Sequence, residues 1–446
     1  MSAYAFPIGQ STMLPTMSSS RSFMPSCYPI SLSPIGYMDL SMPRTPLAPE
    51  DAARLHMDLP ENPMIIVAAL ELEGALDHTE LLALLRERLL GHARFRQRVV
   101  ESTFGFGVPR WEEDPRFELV RHVHRHLDDG RPLLVRVAEV ANRALVRDRP
   151  LWEMHVMERA LGDVLVARIH HVVADGAGLV RLLRDLAGEP PPQDRSVQSE
   201  KRKQRGLRVR RLVGGVAAAT RLLRSGSDPR SRLTGELGKE KSLCASATLS
   251  LQTLHEAARA RGVTITELLL SSIAGALRER VGGRVVHALV PVALQTRETD
   301  AGNRYISVFV PLRVALEDVG ARVRDVAHEL RELRAHHQSI SSGVSLTSAA
   351  GAATAVIERA GVRLFSKRAT LMVSVVRGPE HPLRFAGATV RDVTVWAPVP
   401  GTIALGITLM SYAGRVRVGL NADARVVQDP ELILSDVLRE LSQSSA

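Results

Sequence analysis

The feature that most limits how this chain can fold is a break near its middle. Glu189-Pro190-Pro191-Pro192 stops a helix, because proline lacks the amide hydrogen and clashes with the preceding turn. Residues 190–241 then read as a long crossover linker with its own basic helix. Strands and helices mix on both sides of this break, and no repeat with a period of about 20–50 residues relates them. The pattern predicts an α/β protein in two halves: an N-terminal domain over 45–189 and a C-terminal domain over 242–446, preceded by a disordered tail over 1–44.

The linker also carries the charge. The 446 residues have a formal net charge of +10, and nine cations without a single acid lie between Lys201 and Ser225. The rest of the chain is therefore close to neutral. Leu207, Val209, Leu212, Val213, Leu222 and Leu223 are interspersed with the cations, a composition that suits an interfacial helix drawn to anionic lipid as well as a solvated linker. Nucleic acid is a poor partner: aromatic residues are only 4% of the chain, too few for a base-stacking surface. No P-loop or dinucleotide fingerprint is present. Cys27 and Cys244 are too far apart in sequence for a disulfide scaffold or a four-ligand zinc site, which favours a reducing compartment. No apolar run reaches the roughly 18 residues of a membrane span, and the N-terminal tail lacks the basic start of a secretory signal.

In the first half, Met64 to Leu72 predicts a buried strand, and Asp77 with Glu80 predicts a capped helix through Gly91. Val164 to His170 predicts a second strand and Gly178 to Leu186 a second helix. The other half predicts helices at Leu251–Arg261, Ile265–Val281 and Val319–Gln338. Its strands fall at Val285–Val290, Ile306–Val314, Leu371–Val376, Ala388–Trp396, Ile403–Tyr412 and Val416–Leu420.

The candidate site is His170-His171-Val172-Val173-Ala174-Asp175-Gly176, where a β-branched strand runs out into a loop. An imidazole at a rigid strand end can accept a proton near neutral pH, the demand of general-base chemistry. Asp175 is expected to fix the loop by an Arg or backbone pairing, and Gly176 to supply freedom in φ. His336-His337 has no matching Asp-Gly and reads as a solvated helix face. His122, His124 and His126 alternate along a short strand in the manner of a metal site, but Arg121, Arg125, Asp128 and Asp129 beside them favour a solvated edge.

Arg149-Pro150-Leu151-Trp152-Glu153-Met154-His155 followed by His170–Gly176 resembles the bacterial wax ester synthase/acyl-CoA:diacylglycerol acyltransferase family, with its Pro-Leu-Trp-Glu element and HHxxxDG motif. Asn62-Pro63-Met64, Ala288–Val292, Gly302-Asn303-Arg304 before Val310-Pro311-Leu312, and Ser411–Arg415 before Gly419-Leu420 resemble later family signatures in the same order. The resemblance spans about residues 45–440. It implies a two-domain fold of the chloramphenicol acetyltransferase type, with the histidine at the interface and a tunnel through it. His171 is then the base that takes a proton from an acceptor hydroxyl attacking an acyl-CoA thioester, and His170 packs or orients the loop. Asn303 and Ser374 are candidate oxyanion donors, and Trp152 lines an acyl channel or belongs to the core. Acyl-CoA is the co-substrate, diacylglycerol or a long-chain alcohol the acceptor, and no permanently bound cofactor is implied. The expected location is cytoplasmic, peripheral to the inner membrane or lipid inclusions. A carrier-protein donor, as in condensation-type domains, and a non-catalytic lipid-surface binder are the competing readings. Two departures bear on the acceptor: Thr266-Glu267 where the family has Asn-Asp, and Val375 where it has Asn after Val373-Ser374.

Overall fold

The computed structural model describes residues 44–101, 108–189, 228–282, 285–293, 305–340, 362–363 and 365–443. The tail, the basic segment Lys201 to Ser225 and Asn303 lie outside these residues. Two large sheets carry the fold. The first has six strands in the order Arg384–Phe385, Ala388–Trp396, Ile65–Glu73, Val164–His170, Trp152–Met157 and Val123–His126. The second follows the order Tyr305–Arg313, Val285–Ala293, Leu371–Arg377, Leu405–Tyr412, Arg415–Asp423 and Lys241–Ala245, with Leu249–Ser250 alongside Arg415–Asp423 as its seventh strand. A small sheet joins Thr45–Pro46, Arg110–Glu113 and Gln97–Val100.

The middle of the first sheet is apolar on both faces. Ile66, Ala68, Leu70 and Leu72 enter one core, while Ile65, Val67 and Ala69 enter another. A strand covered on both sides reads as a continuous apolar run, which is the pattern seen from Met64 to Leu70 within the predicted strand. Val164–His170 is buried along its whole length and pairs antiparallel with Ile65–Glu73, so its end is held within the sheet by His170 opposite Ile65.

The two halves of the sequence exchange structure. Ala388–Trp396 comes from the second half, yet it pairs antiparallel with Ile65–Glu73, from Thr389 opposite Glu73 to Trp396 opposite Val67. The buried Tyr412 hydroxyl donates to Val390 O (3.0 Å) and accepts from Leu383 N (2.7 Å), locking this crossing hairpin to the second sheet. A Cβ on Gly419 would stand 2.4 Å from Val395 O, so glycine is what lets the strand Arg415–Asp423 pass so close to Ala388–Trp396. Beside this crossing, Arg417 pairs with Glu71 (2.5 Å) and Asp392 (2.9 Å), joining both sheets through largely buried charges.

Most predicted elements form, and the differences concern their ends. The helix capped by Asp77, whose side chain takes the Glu80 N–H at 2.8 Å, ends at Glu87, and Leu89–Gly91 forms a separate short turn. The helix after the histidines spans Gly176–Ala187, and Gly188, in the left-handed region at φ 75°, closes it before the prolines begin. A left-handed residue after the last turn satisfies terminal carbonyls, so the helix stops through Gly188. Ile265–Val281 starts with a capping box: Thr264 N donates to Glu267 Oε2 (2.7 Å) and Glu267 N to Thr264 Oγ1 (3.3 Å). Glu267, at one of the two departures, thus serves its own helix start. Among the described residues no single helix is long and apolar enough to cross a membrane.

Candidate active site

The strand Val164–His170 ends opposite Ile65, and the chain then turns tightly. Val173 N donates to His170 O at 2.8 Å, and Val172 N donates to His170 Nδ1 at 3.1 Å. The buried His170 ring therefore points away from solvent, with Nε2 3.5 Å from Asp58 Oδ1.

His171 is half-buried, and its backbone N–H donates to Met64 O at 2.7 Å. Burial pushes its imidazole down to about 3, and the positive charge of Arg54 and the neighbouring His170 add to the shift. The polar backbone of His171 itself works in the other direction. Removing water from around an imidazole disfavours its charged form, so His171 is unprotonated at neutral pH.

Asp175 caps the following helix, and its Oδ1 accepts from Gly178 N at 2.5 Å. The backbone alternative of the two expected pairings is the one made. Gly176 does not have a positive φ, so the expected torsional freedom is corrected: it is the first ordinary helical residue. A Cβ placed there would lie 3.7 Å from Val376 Cγ2, so the helix start faces the second sheet's strand Leu371–Arg377.

Ser374 is buried and lies on the same face of that strand as Val376, since alternate residues share a face. Val375, the second departure, is on the opposite face and 38% exposed. Trp152 is a correction to the channel reading. It is fully buried in the first-sheet core, its Nε1 donates to Phe95 O at 2.9 Å, and its ring stacks on His122 at 4.6 Å. These contacts leave no surface for a substrate.

The alternating histidines also separate. His122 turns inward, its Nδ1 2.8 Å from Trp152 O, whereas His124 and His126 meet His155 on the neighbouring strand, with 3.0 Å between His126 Nε2 and His155 Nδ1. Burial, followed by the neighbouring His155, holds His124 and His126 below the ordinary histidine value. No group of three or more His, Cys, Asp or Glu side chains among the described residues is arranged to hold a metal ion. His336-His337 falls within the helix Val319–Ile340.

Four residues near the histidines carried no sequence signal of their role: Arg54, Asp58, Asn62 and Met64. Asn62 stood within a family-like motif, and in the fold its Nδ2 donates to Gly401 O (2.8 Å) and Ile403 O (2.9 Å). Those carbonyls belong to the connection from Ala388–Trp396 to Leu405–Tyr412, so Asn62 ties the entry of the first sheet to the second. Asp58 is isolated in sequence, and only the fold shows that it faces His170.

Comparison with known proteins agrees with this arrangement. Residues 47–228 match the wax ester synthase/diacylglycerol acyltransferase catalytic domain, and residues 301–444 match the WS/DGAT C-terminal domain. A probable diacylglycerol O-acyltransferase of Mycobacterium tuberculosis is 29% identical over 411 residues, covering 82% of this chain and 88% of the relative. The wax ester synthase/diacylglycerol acyltransferase of Marinobacter aquaeolei VT8 superposes with a TM-score of 0.65 at 21% identity, over 90% of this chain and 98% of that one. The first condensation domain of the calcium-dependent antibiotic synthetase shares the fold at a TM-score of 0.60 and 18% identity, over 91% of this chain and 97% of that one. Fold and matches together define a mixed α/β, two-domain acyltransferase. The chain belongs to the wax ester synthase/diacylglycerol acyltransferase family.

Proposed function

We propose that the protein transfers a long acyl chain from acyl-CoA to the hydroxyl of diacylglycerol or a long-chain alcohol, giving triacylglycerol or a wax ester and free CoA. The observation that carries this reading is the placing of an unprotonated His171 at the end of a rigid strand, in the loop that faces the second sheet. Burial keeps the ring unprotonated, so the imidazole is available to accept a proton. The imidazole takes the acceptor's hydroxyl proton as the oxygen attacks the thioester carbon. The tetrahedral intermediate collapses, the C–S bond breaks, and the CoA thiolate recovers the proton from the imidazolium. No covalent acyl-enzyme and no resident cofactor are required.

A base held near 3 is always available but weak in the resting protein. Negative charge building on the thioester oxygen favours the imidazolium in the transition state, so proton transfer and oxyanion formation support each other. Ser374 is the described candidate for the oxyanion donor, because it lies on the strand face shared with Val376. Asn303 is the other candidate. His170, Asp175 and Gly176 hold the loop and its helix in place. The substrates meet in a tunnel between the two domains, 45–189 and 242–446. The cationic segment Lys201 to Ser225 fits an anionic membrane or lipid-droplet surface, which makes the enzyme cytoplasmic and peripherally bound.

The test is to incubate the purified protein with palmitoyl-CoA and either diolein or hexadecanol, follow free thiol, and identify the lipid by mass spectrometry. Triacylglycerol or wax ester formed in step with thiol supports the reading. Consumption of an acyl-carrier thioester, with acyl-CoA left untouched, would move the chain to condensation-type chemistry. Binding to vesicles without thiol release would leave it a lipid-surface binder.

A further inference from the structure

Residues 58–64 form a tight bend before the strand Ile65–Glu73. Leu59 N donates to Asn62 O (3.3 Å), and Asn62 N donates to Leu59 O (3.0 Å). The Asp58 carboxylate is the centre of this bend. Its Oδ1 accepts from Met64 N at 2.6 Å and lies 3.5 Å from His170 Nε2, while Oδ2 takes a hydrogen bond from Arg147. The carbonyl of the same Met64 receives the backbone N–H of His171 at 2.7 Å. A single carboxylate therefore touches both supports of the candidate base: the backbone that holds His171 and the ring of the residue before it.

The hydrogen bonds of His170 reinforce this. Its Nδ1 accepts from Val172 N, which leaves Nε2, the nitrogen that faces Asp58, to carry the ring's N–H. Burial alone would raise the carboxyl's proton affinity, but His170, the Met64 N–H and Arg147 outweigh it and hold Asp58 below the ordinary aspartate value. The group is thus an anion at working pH.

We propose that Asp58 is a positioning residue for the acyl transfer, setting the place of His171 through His170 and Met64 without touching substrate. This rests on the reading of His171 as the base. A misplacement of about 1 Å at a reacting group costs on the order of a hundredfold in rate, so partial loss of these supports is visible in kcat.

The test is steady-state kinetics of Asp58→Asn in the wild-type and His171→Ala backgrounds, with palmitoyl-CoA and diolein. Asn keeps an oxygen for Met64 N, whereas Asp58→Ala buries that N–H without a partner and serves only as a folding comparison. The expected result is a fall of about tenfold in kcat, with KM for both substrates within about twofold. Placed on the residual rate of His171→Ala, the same change has no further effect, because its target is gone. A kcat within about twofold of wild type, with His171→Ala inactive, would overturn the proposal and leave the base standing. An equal fold-loss in both backgrounds would overturn it in favour of a general structural role. Undiminished turnover by His171→Ala would instead refute the base reading, and the proposal with it.

Discussion

Lowering the pH tests the environment of His171 directly. An exposed histidine titrates near 6.5, so a base of that kind is about 9% unprotonated at pH 5.5, and a rate that depends on it falls about tenfold between pH 7.5 and 5.5. Burial, Arg54 and His170 place His171 at about 3. At pH 5.5 it is still almost entirely unprotonated, and kcat/KM, which reports groups of the free enzyme, should change by less than about a fifth from this cause. The assay is thiol release from palmitoyl-CoA at low substrate concentration across pH 5–8, with circular dichroism at each pH. The second readout is needed because stability moves in the same window. The folded-state value lies below the unfolded one, so the unfolded chain binds the extra proton first. The stability tied to an uncharged His171 is complete above about 6.5 and declines as pH falls toward 3. An acid limb in kcat/KM with a midpoint near 6.5, in protein that remains folded, would refute the burial argument.

Two further changes probe the frame around the site. Tyr412→Phe removes the hydroxyl that joins Val390 O and Leu383 N, and two buried backbone groups lose their partner. Urea unfolding should show a loss of about 2–4 kcal/mol, and a loss below about 0.5 kcal/mol would mean that the crossing hairpin is held by other contacts. Asp175→Ala removes the cap of Gly176–Ala187 and should cost about 1 kcal/mol in the same assay, with Asp175→Asn recovering most of it because Asn caps as well as Asp.

The central strands of both sheets were legible because their cause is local, whereas Trp152–Met157 and Lys241–Ala245 were not read as strands. Met64 to Leu72 and Ala388 to Trp396 are runs whose composition suits a strand wherever it is placed, and the loop from His170 to Gly176 joins such a strand to a helix capped by its own Asp175. What the pattern could not carry was pairing between distant segments. Nothing in Ala388–Trp396 says that it crosses to Ile65–Glu73; that follows from Gly419 permitting the approach and from Tyr412 pinning the hairpin. The same reason hid the partners of Asp58 and Asn62, His170 and Gly401, which are 112 and 339 residues away. Trp152 was ambiguous in sequence because an indole suits a channel wall and a core equally, and only the bond to Phe95 O decides between them. Gly176 was read as a turn glycine, yet it is an ordinary helical residue whose added Cβ would meet Val376 at ordinary contact distance.

The central claim is that His171 accepts the acceptor's proton. It is tested most directly by comparing wild type with His171→Ala in one reaction containing palmitoyl-CoA and diolein, reading thiol and triacylglycerol together while near-UV circular dichroism confirms the fold. General-base catalysis contributes roughly 10²–10⁴-fold, so the variant should lose at least about a hundredfold in both products while its spectrum is unchanged. Ester and thiol formed within about tenfold of the wild-type rate by folded His171→Ala protein would contradict the account.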